Sequence, residues 1–112
     1  MKAGEIFHVE LDPAKGREQR GARPVLVVSN EAYNKITNLP IVAPITSGGD
    51  FARIAGFTVP LSGCGTTTNG VVRLDQLRVL DLKVRGGTRI ETIPDAVLED
   101  ILNRIHAIFE IR

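Results

Sequence analysis

Tryptophan is absent from this 112-residue chain, cysteine and methionine occur once each, and aromatic residues make up only 4% of it. The single thiol, Cys64, excludes an intrachain disulfide and any cysteine-rich zinc site, and a reducing compartment suits it. There is no basic-then-apolar leader and no apolar run near the length of a membrane span, so a cytoplasmic protein without membrane association is expected. Charge of one sign is not in excess either. The formal net charge is +1, which argues against a general polyanion binder and confines any nucleic-acid contact to local patches.

Such patches exist. Lys15, Arg17, Arg20 and Arg23 surround the single Glu18, and Arg73, Arg78, Lys83, Arg85 and Arg89 outweigh Asp75 and Asp81. The C-terminal region has the opposite sign, with Glu91, Asp95, Glu99, Asp100 and Glu110 against Arg104 and Arg112. With 43% apolar residues, the chain fits one domain over residues 1–112, small enough that burial against a second copy would help it. It contains no internal repeat, low-complexity tract or linker.

Residues 6–11 alternate, with Phe7, Val9 and Leu11 on one face and His8 and Glu10 on the other, which predicts a half-buried strand. Pro13 and Gly16 break it into a long polar loop. Pro24-Val25-Leu26-Val27-Val28 is strongly β-prone. Asn30 can cap a short helix through about Thr37, which Pro40 stops. Residues 39–45 read as a strand whose Pro40 and Pro44 suggest its ends or a sheet edge. Phe57, Val59 and Leu61 alternate, residues 63–69 form a Gly/Thr loop, and residues 70–75 read as a strand. Two shorter strands follow near residues 78–80 and 89–90. Many short strands with Gly/Pro turns indicate a small barrel. The end differs: Pro94 suits the first turn of a helix, and Val97, Leu98, Ile101, Leu102, Ile105, Ile108 and Phe109 recur at helical spacing.

Gly70-Val71-Val72-Arg73-Leu74-Asp75-Gln76 carries the most chemistry. Strand alternation would set Val71, Arg73 and Asp75 on one face, presenting a cation and a carboxylate side by side with Gln76 next to them. The plain structural alternative is an ion pair on a half-buried strand. Three further segments stand with it: Leu11-Asp12-Pro13-Ala14-Lys15-Gly16-Arg17-Glu18-Gln19-Arg20-Gly21-Ala22-Arg23-Pro24-Val25-Leu26, then Pro44-Ile45-Thr46-Ser47-Gly48-Gly49-Asp50-Phe51-Ala52-Arg53, then Asp81-Leu82-Lys83-Val84-Arg85-Gly86-Gly87. In this order they resemble the MazF/PemK family of toxin endoribonucleases, the Kid/PemK branch in particular, over nearly the whole chain.

The resemblance implies a mostly β fold with α, an SH3-like small barrel of the CcdB/MazF type with a short helix after strand 2 and a C-terminal amphipathic helix. It implies the toxin of a type II toxin–antitoxin system that cleaves single-stranded mRNA at a short U-A-containing core, without metal or cofactor, giving 2′,3′-cyclic phosphate and 5′-hydroxyl ends and arresting growth. Four residues fall on catalytic positions of the family: Arg73, Asp75, Arg23 and Thr46. Asp75 is the candidate base for the ribose 2′-hydroxyl. Burial would raise its pKa and Arg73 would lower it, a balance the sequence leaves open. A guanidinium gives up a proton reluctantly, so Arg73 is better suited to clamping the phosphate than to acting as general acid. Thr46 and Ser47 sit at a glycine-rich turn where hydroxyls and amides can approach a phosphate.

RNA contacts are expected from Arg17, Glu18, Gln19, Ser47, Ala55, Phe57, Asn69, Val71, Gln76 and Arg85. Two departures from the Kid/PemK branch stand out. Arg17 replaces a histidine, so a fixed cation stands where an imidazole could shuttle protons. Asn69 replaces a threonine, and its amide can both donate to and accept from a base edge. His8 and His106 are read as structural. The resemblance further implies a homodimer and an antitoxin whose disordered, acidic C-terminal segment fills the RNA groove, neutralising its arginines. Two other readings are a CcdB-like gyrase poison and a catalytically dead RNA-binding module. The first depends on a tryptophan-containing C-terminal tip, and this chain has no tryptophan.

Overall fold

A computed structural model describes residues 1–11, 22–47 and 56–109. Strand β1 (Glu5–Val9) follows the predicted alternation, with Phe7 and Val9 buried and His8 exposed. Ile6 is buried as well, on the opposite face, because β1 lies between β2 (Arg23–Val27) and β7 (Thr88–Thr92) with apolar layers on both sides. The sheet is antiparallel in every pairing and runs β4-β5-β3-β2-β1-β7, with β6 also paired to β3. Here β3 is Ile41–Thr46, β4 Thr58–Pro60, β5 Val71–Arg73 and β6 Arg78–Val79.

Two apolar clusters cover the two faces. One gathers Ile6, Leu26, Ala43, Val72 and Leu74 around Ile101 of α2 (Asp95–Ile108); the other joins Phe7, Val9, Val25, Val27 and Val42 to Leu80 and Leu82. Along α2, Ile101 is fully buried and Val97, Leu98 and Ile105 pack beside it. Burying a side chain such as Ile101 stabilises the fold by about 1.5–3 kcal/mol. Leu102, Ile108 and Phe109 remain exposed, Phe109 by 72%. Helix α1 (Glu31–Thr37) starts where expected: the Tyr33 amide donates to the Asn30 side chain at 2.8 Å. It ends at Asn38, whose left-handed backbone (φ 56°) lets its amide reach the Asn34 carbonyl, and Pro40 follows.

The expected mostly β architecture, with a helix after the second strand and an amphipathic C-terminal helix, is the one adopted. Two local readings differ. The strand expected over residues 70–75 stops at Arg73, and Leu74–Gln76 form a 3₁₀ turn. This turn lets one edge of β3 serve two partners, β5 at Ile45 and Thr46 and β6 at Ile41 and Val42, with a register slip of the turn's three residues. Pro44 sits within that slip, inside β3 and opposite Val25, rather than at a sheet edge. A proline lacks a ladder donor and is tolerated where pairing is interrupted. Among the described residues no helix is long and apolar enough to cross a membrane.

Candidate active site

The 3₁₀ turn brings Arg73 and Asp75 together. Arg73 ends β5 in an extended conformation and its side chain is only 6% exposed, whereas that of Asp75 is 24% exposed. Between them Leu74 turns into the core, and its amide donates to the Phe57 carbonyl at 2.9 Å. The guanidinium donates through Nε to Oδ1 of Asp75 at 2.8 Å and through Nη2 to Oδ2 at 2.6 Å. Two parallel charge-assisted bonds make this pair strong and geometrically specific. The hydrogen bonds from Arg73 hold the Asp75 carboxyl below its usual range and outweigh the burial that pushes it up. The same bonds keep Arg73 charged. Adjacency therefore comes from a turn, not from strand alternation.

Val71 and Arg73 share one face of the sheet, and register extends that face across it. Thr46 pairs with Val71, and Val25 pairs with Pro44. Continuing the second register by two residues sets Arg23, exposed at the start of β2, opposite Thr46. Three of the four expected catalytic residues, Arg23, Thr46 and Arg73, thus belong to one face of adjoining strands, with Asp75 carried on the turn. Thr46 Oγ1 is buried and has no hydrogen-bond partner among the described residues. Gly70 makes the close approach of β5 possible. Its φ is +124°, and a Cβ there would lie 2.6 Å from the Thr46 carbonyl oxygen.

Asp75 and Phe57 also share an open groove of about 600 Å³, completed by Leu74, Leu77 and the end of α2 at Ala107, Ile108 and Phe109. Of the expected RNA-contacting residues, Ser47, Asn69 and Gln76 are exposed and Val71 is buried. Arg85 is half-buried, and its Nη1 donates to the carbonyls of Glu10 (2.9 Å) and Leu11, holding the end of β1. Arg17, Glu18, Gln19 and Ala55 lie outside the described residues.

One group escaped the sequence reading. Glu91 on β7 accepts four hydrogen bonds from the Gly/Thr loop, from Thr67 N (3.1 Å), Thr67 Oγ1 (2.9 Å), Thr68 N (2.7 Å) and Thr68 Oγ1 (2.5 Å). Burial alone would raise its pKa, but these bonds from Thr68 and Thr67 hold it down to about 2. More than twenty residues separate the partners in sequence, so no local spacing signals the contact. Three consecutive threonines in a glycine-rich loop were the available hint.

The architecture is that of solved toxins. It aligns with a crystal structure of MazE–MazF from Deinococcus radiodurans at a TM-score of 0.78, with 32% identity over 96% of this chain and 94% of the other. The chain belongs to the family of PemK-like, MazF-like toxins of type II toxin–antitoxin systems, whose profile matches residues 2–109. It is 53% identical over 108 residues to the endoribonuclease PemK of Escherichia coli, covering 96% of this chain and 81% of PemK. It is also 47% identical to the endoribonuclease toxin ChpB of Escherichia coli K12, covering 98% of this chain and 95% of ChpB.

Proposed function

We propose that this protein, the toxin of a type II toxin–antitoxin pair, is a sequence-specific endoribonuclease that cuts single-stranded mRNA and so stops translation and growth. The bidentate Arg73–Asp75 pair carries this reading. As it stands, the pair holds its carboxylate in a weakly basic state. A phosphodiester entering the site competes for the same guanidinium fork. As Arg73 turns to the phosphate, Asp75 loses the bonds that depress its pKa and becomes able to accept a proton.

Asp75 then takes the proton of the ribose 2′-hydroxyl. The 2′-oxygen bonds to phosphorus, the bond from phosphorus to the 5′-oxygen breaks, and water protonates the departing oxygen. Arg73 stabilises the extra charge of the transition state, assisted by Arg23 and the Thr46 hydroxyl. The products carry 2′,3′-cyclic phosphate and 5′-hydroxyl ends. No metal is required, because fixed cations do the neutralising.

Bases splayed from a single strand offer their edges to Asn69, Gln76 and Ser47 and a stacking partner in Phe57, and the family resemblance adds Ala55, Val71, Arg85, Arg17, Glu18 and Gln19 as further RNA contacts. A U-A-containing core is the expected target. A homodimer in the cytoplasm, inhibited by an antitoxin whose disordered acidic C-terminal segment covers these arginines, completes the reading. The crystal structures of MazE–MazF from Deinococcus radiodurans support an antitoxin partner.

The test is digestion of a long end-labelled RNA in EDTA with chemical analysis of the new termini. Cyclic phosphate and 5′-hydroxyl ends, absent with Asp75→Ala, are expected. Intact RNA with retained affinity would favour a binding module, and intact RNA without affinity a non-nuclease poison.

A further inference from the structure

We propose that Glu91 is a positioning residue, which holds the loop before β5 in the shape that lets Asn69 select the base. The proposal rests on the nuclease reading above. The loop of residues 61–70 joins β4 to β5 and is closed at its base by the Leu61 amide on the Gly70 carbonyl at 2.9 Å. Its far part is Gly-rich, with Gly63 and Gly65 at φ +78° and +84°, and such backbone loses much conformational freedom on being ordered. The Glu91 carboxylate accepts four hydrogen bonds from it, beside a turn closed by the Cys64 amide on the Leu61 carbonyl at 3.0 Å. Oε1 takes the Thr67 amide, and Oε2 takes the Thr68 amide and both hydroxyls. Thr66 adds one bond within the loop, from its hydroxyl to the Thr68 carbonyl at 2.8 Å.

Four donors converging on one carboxylate form a strong, directional anchor. Yet Ser62, Gly63, Gly65, Thr67 and Asn69 are all exposed, so little packing depends on their placement. What the anchor does determine is the surface beside β5. Asn69 follows Thr68 directly and precedes Gly70, which is pressed against Thr46. Fixed at Thr68 on one side and at Gly70 on the other, Asn69 has little freedom left. A preorganised amide discriminates between bases, while a mobile one adapts to several.

Glu91→Gln tests this, because the amide keeps one oxygen but turns donors toward donors. In the full-length variant, hydrogen exchange at the Thr67 and Thr68 amides should accelerate. On a randomised RNA pool, preference at the base read by Asn69 should relax roughly tenfold, a size typical of contacts coupled through one network. Turnover on the preferred site should change far less. Asn69→Ala should relax the same base and add nothing when combined with Glu91→Gln. Should Glu91→Gln fold poorly, Thr67→Val/Thr68→Val removes the hydroxyl donors alone and should relax the same base.

Active variants with unchanged base preference would overturn the role of Glu91 and leave the nuclease reading intact. A wild-type protein that leaves the RNA pool uncut would instead overturn the nuclease reading and this role with it. Slow exchange persisting in Glu91→Gln would overturn the anchor itself.

Discussion

A β-carbon at Gly70 would sit 2.6 Å from the carbonyl oxygen of Thr46, with φ at +124°. Both the conformation and the space demand glycine there. Gly70→Ala should destabilise the fold by about 2–4 kcal/mol, combining backbone strain with overpacking. Gly63→Ala is the control. That residue also has positive φ (+78°), but nothing lies within 4 Å of its added carbon, so chemical denaturation should show about 1 kcal/mol from strain alone.

Thr46 offers the opposite combination. Its buried hydroxyl has no hydrogen-bond partner among the described residues, which costs stability unless a ligand uses it. Thr46→Val should therefore stabilise the free protein by about 1 kcal/mol and lower RNA cleavage at least tenfold. A more stable variant with full activity would remove Thr46 from the site.

Glu91 links stability to acid. Its carboxyl is held at about 2 against an ordinary 4.5, so between those values the unfolded chain binds a proton that the folded chain does not. The contribution is therefore complete above about pH 4.5 and disappears as the pH falls toward about 2. Urea titrations of wild type and Glu91→Gln should differ most near neutrality and converge across that interval. A constant difference would contradict the anchor.

The resemblance to the Kid/PemK branch implies a histidine at position 17, where this chain has Arg17. Arg17→His should raise cleavage near neutral pH and add a titration in the histidine range, since an imidazole can exchange protons there and a guanidinium cannot. Equal rates and unchanged pH dependence would mean that this position takes no part in proton transfer.

Much of the fold was legible because short-range patterns carry it. Phe7 and Val9 against His8 announced a strand, Asn30 announced a helix start, and the stripe around Ile101 announced a final helix. The strand-like run through Asp75 misled, since Val71, Val72 and Arg73 are followed by three residues that fit a strand pattern equally well. The 3₁₀ geometry of Leu74–Gln76 goes with the double pairing of β3, a long-range relation that no local pattern displays. Pro44 was misplaced for the same reason: an interrupted ladder inside a sheet cannot be seen from one strand. The Arg73–Asp75 couple was legible as neighbours, but the direction of the Asp75 shift depended on bidentate contact that no spacing specifies. Glu91 and Thr68 meet only through the folded sheet.

The account centres on a carboxylate that becomes basic when RNA takes its partner. The direct measurement is the pH dependence of kcat and kcat/KM on one short RNA, because kcat/KM reports ionisations of the free protein and kcat those of the complex. The Arg73 pair holds free Asp75 low, so the acid limb of kcat should lie at higher pH than that of kcat/KM, by about one unit or more. Coincident limbs would mean that Arg73 keeps its grip on Asp75 in the complex, which contradicts the account.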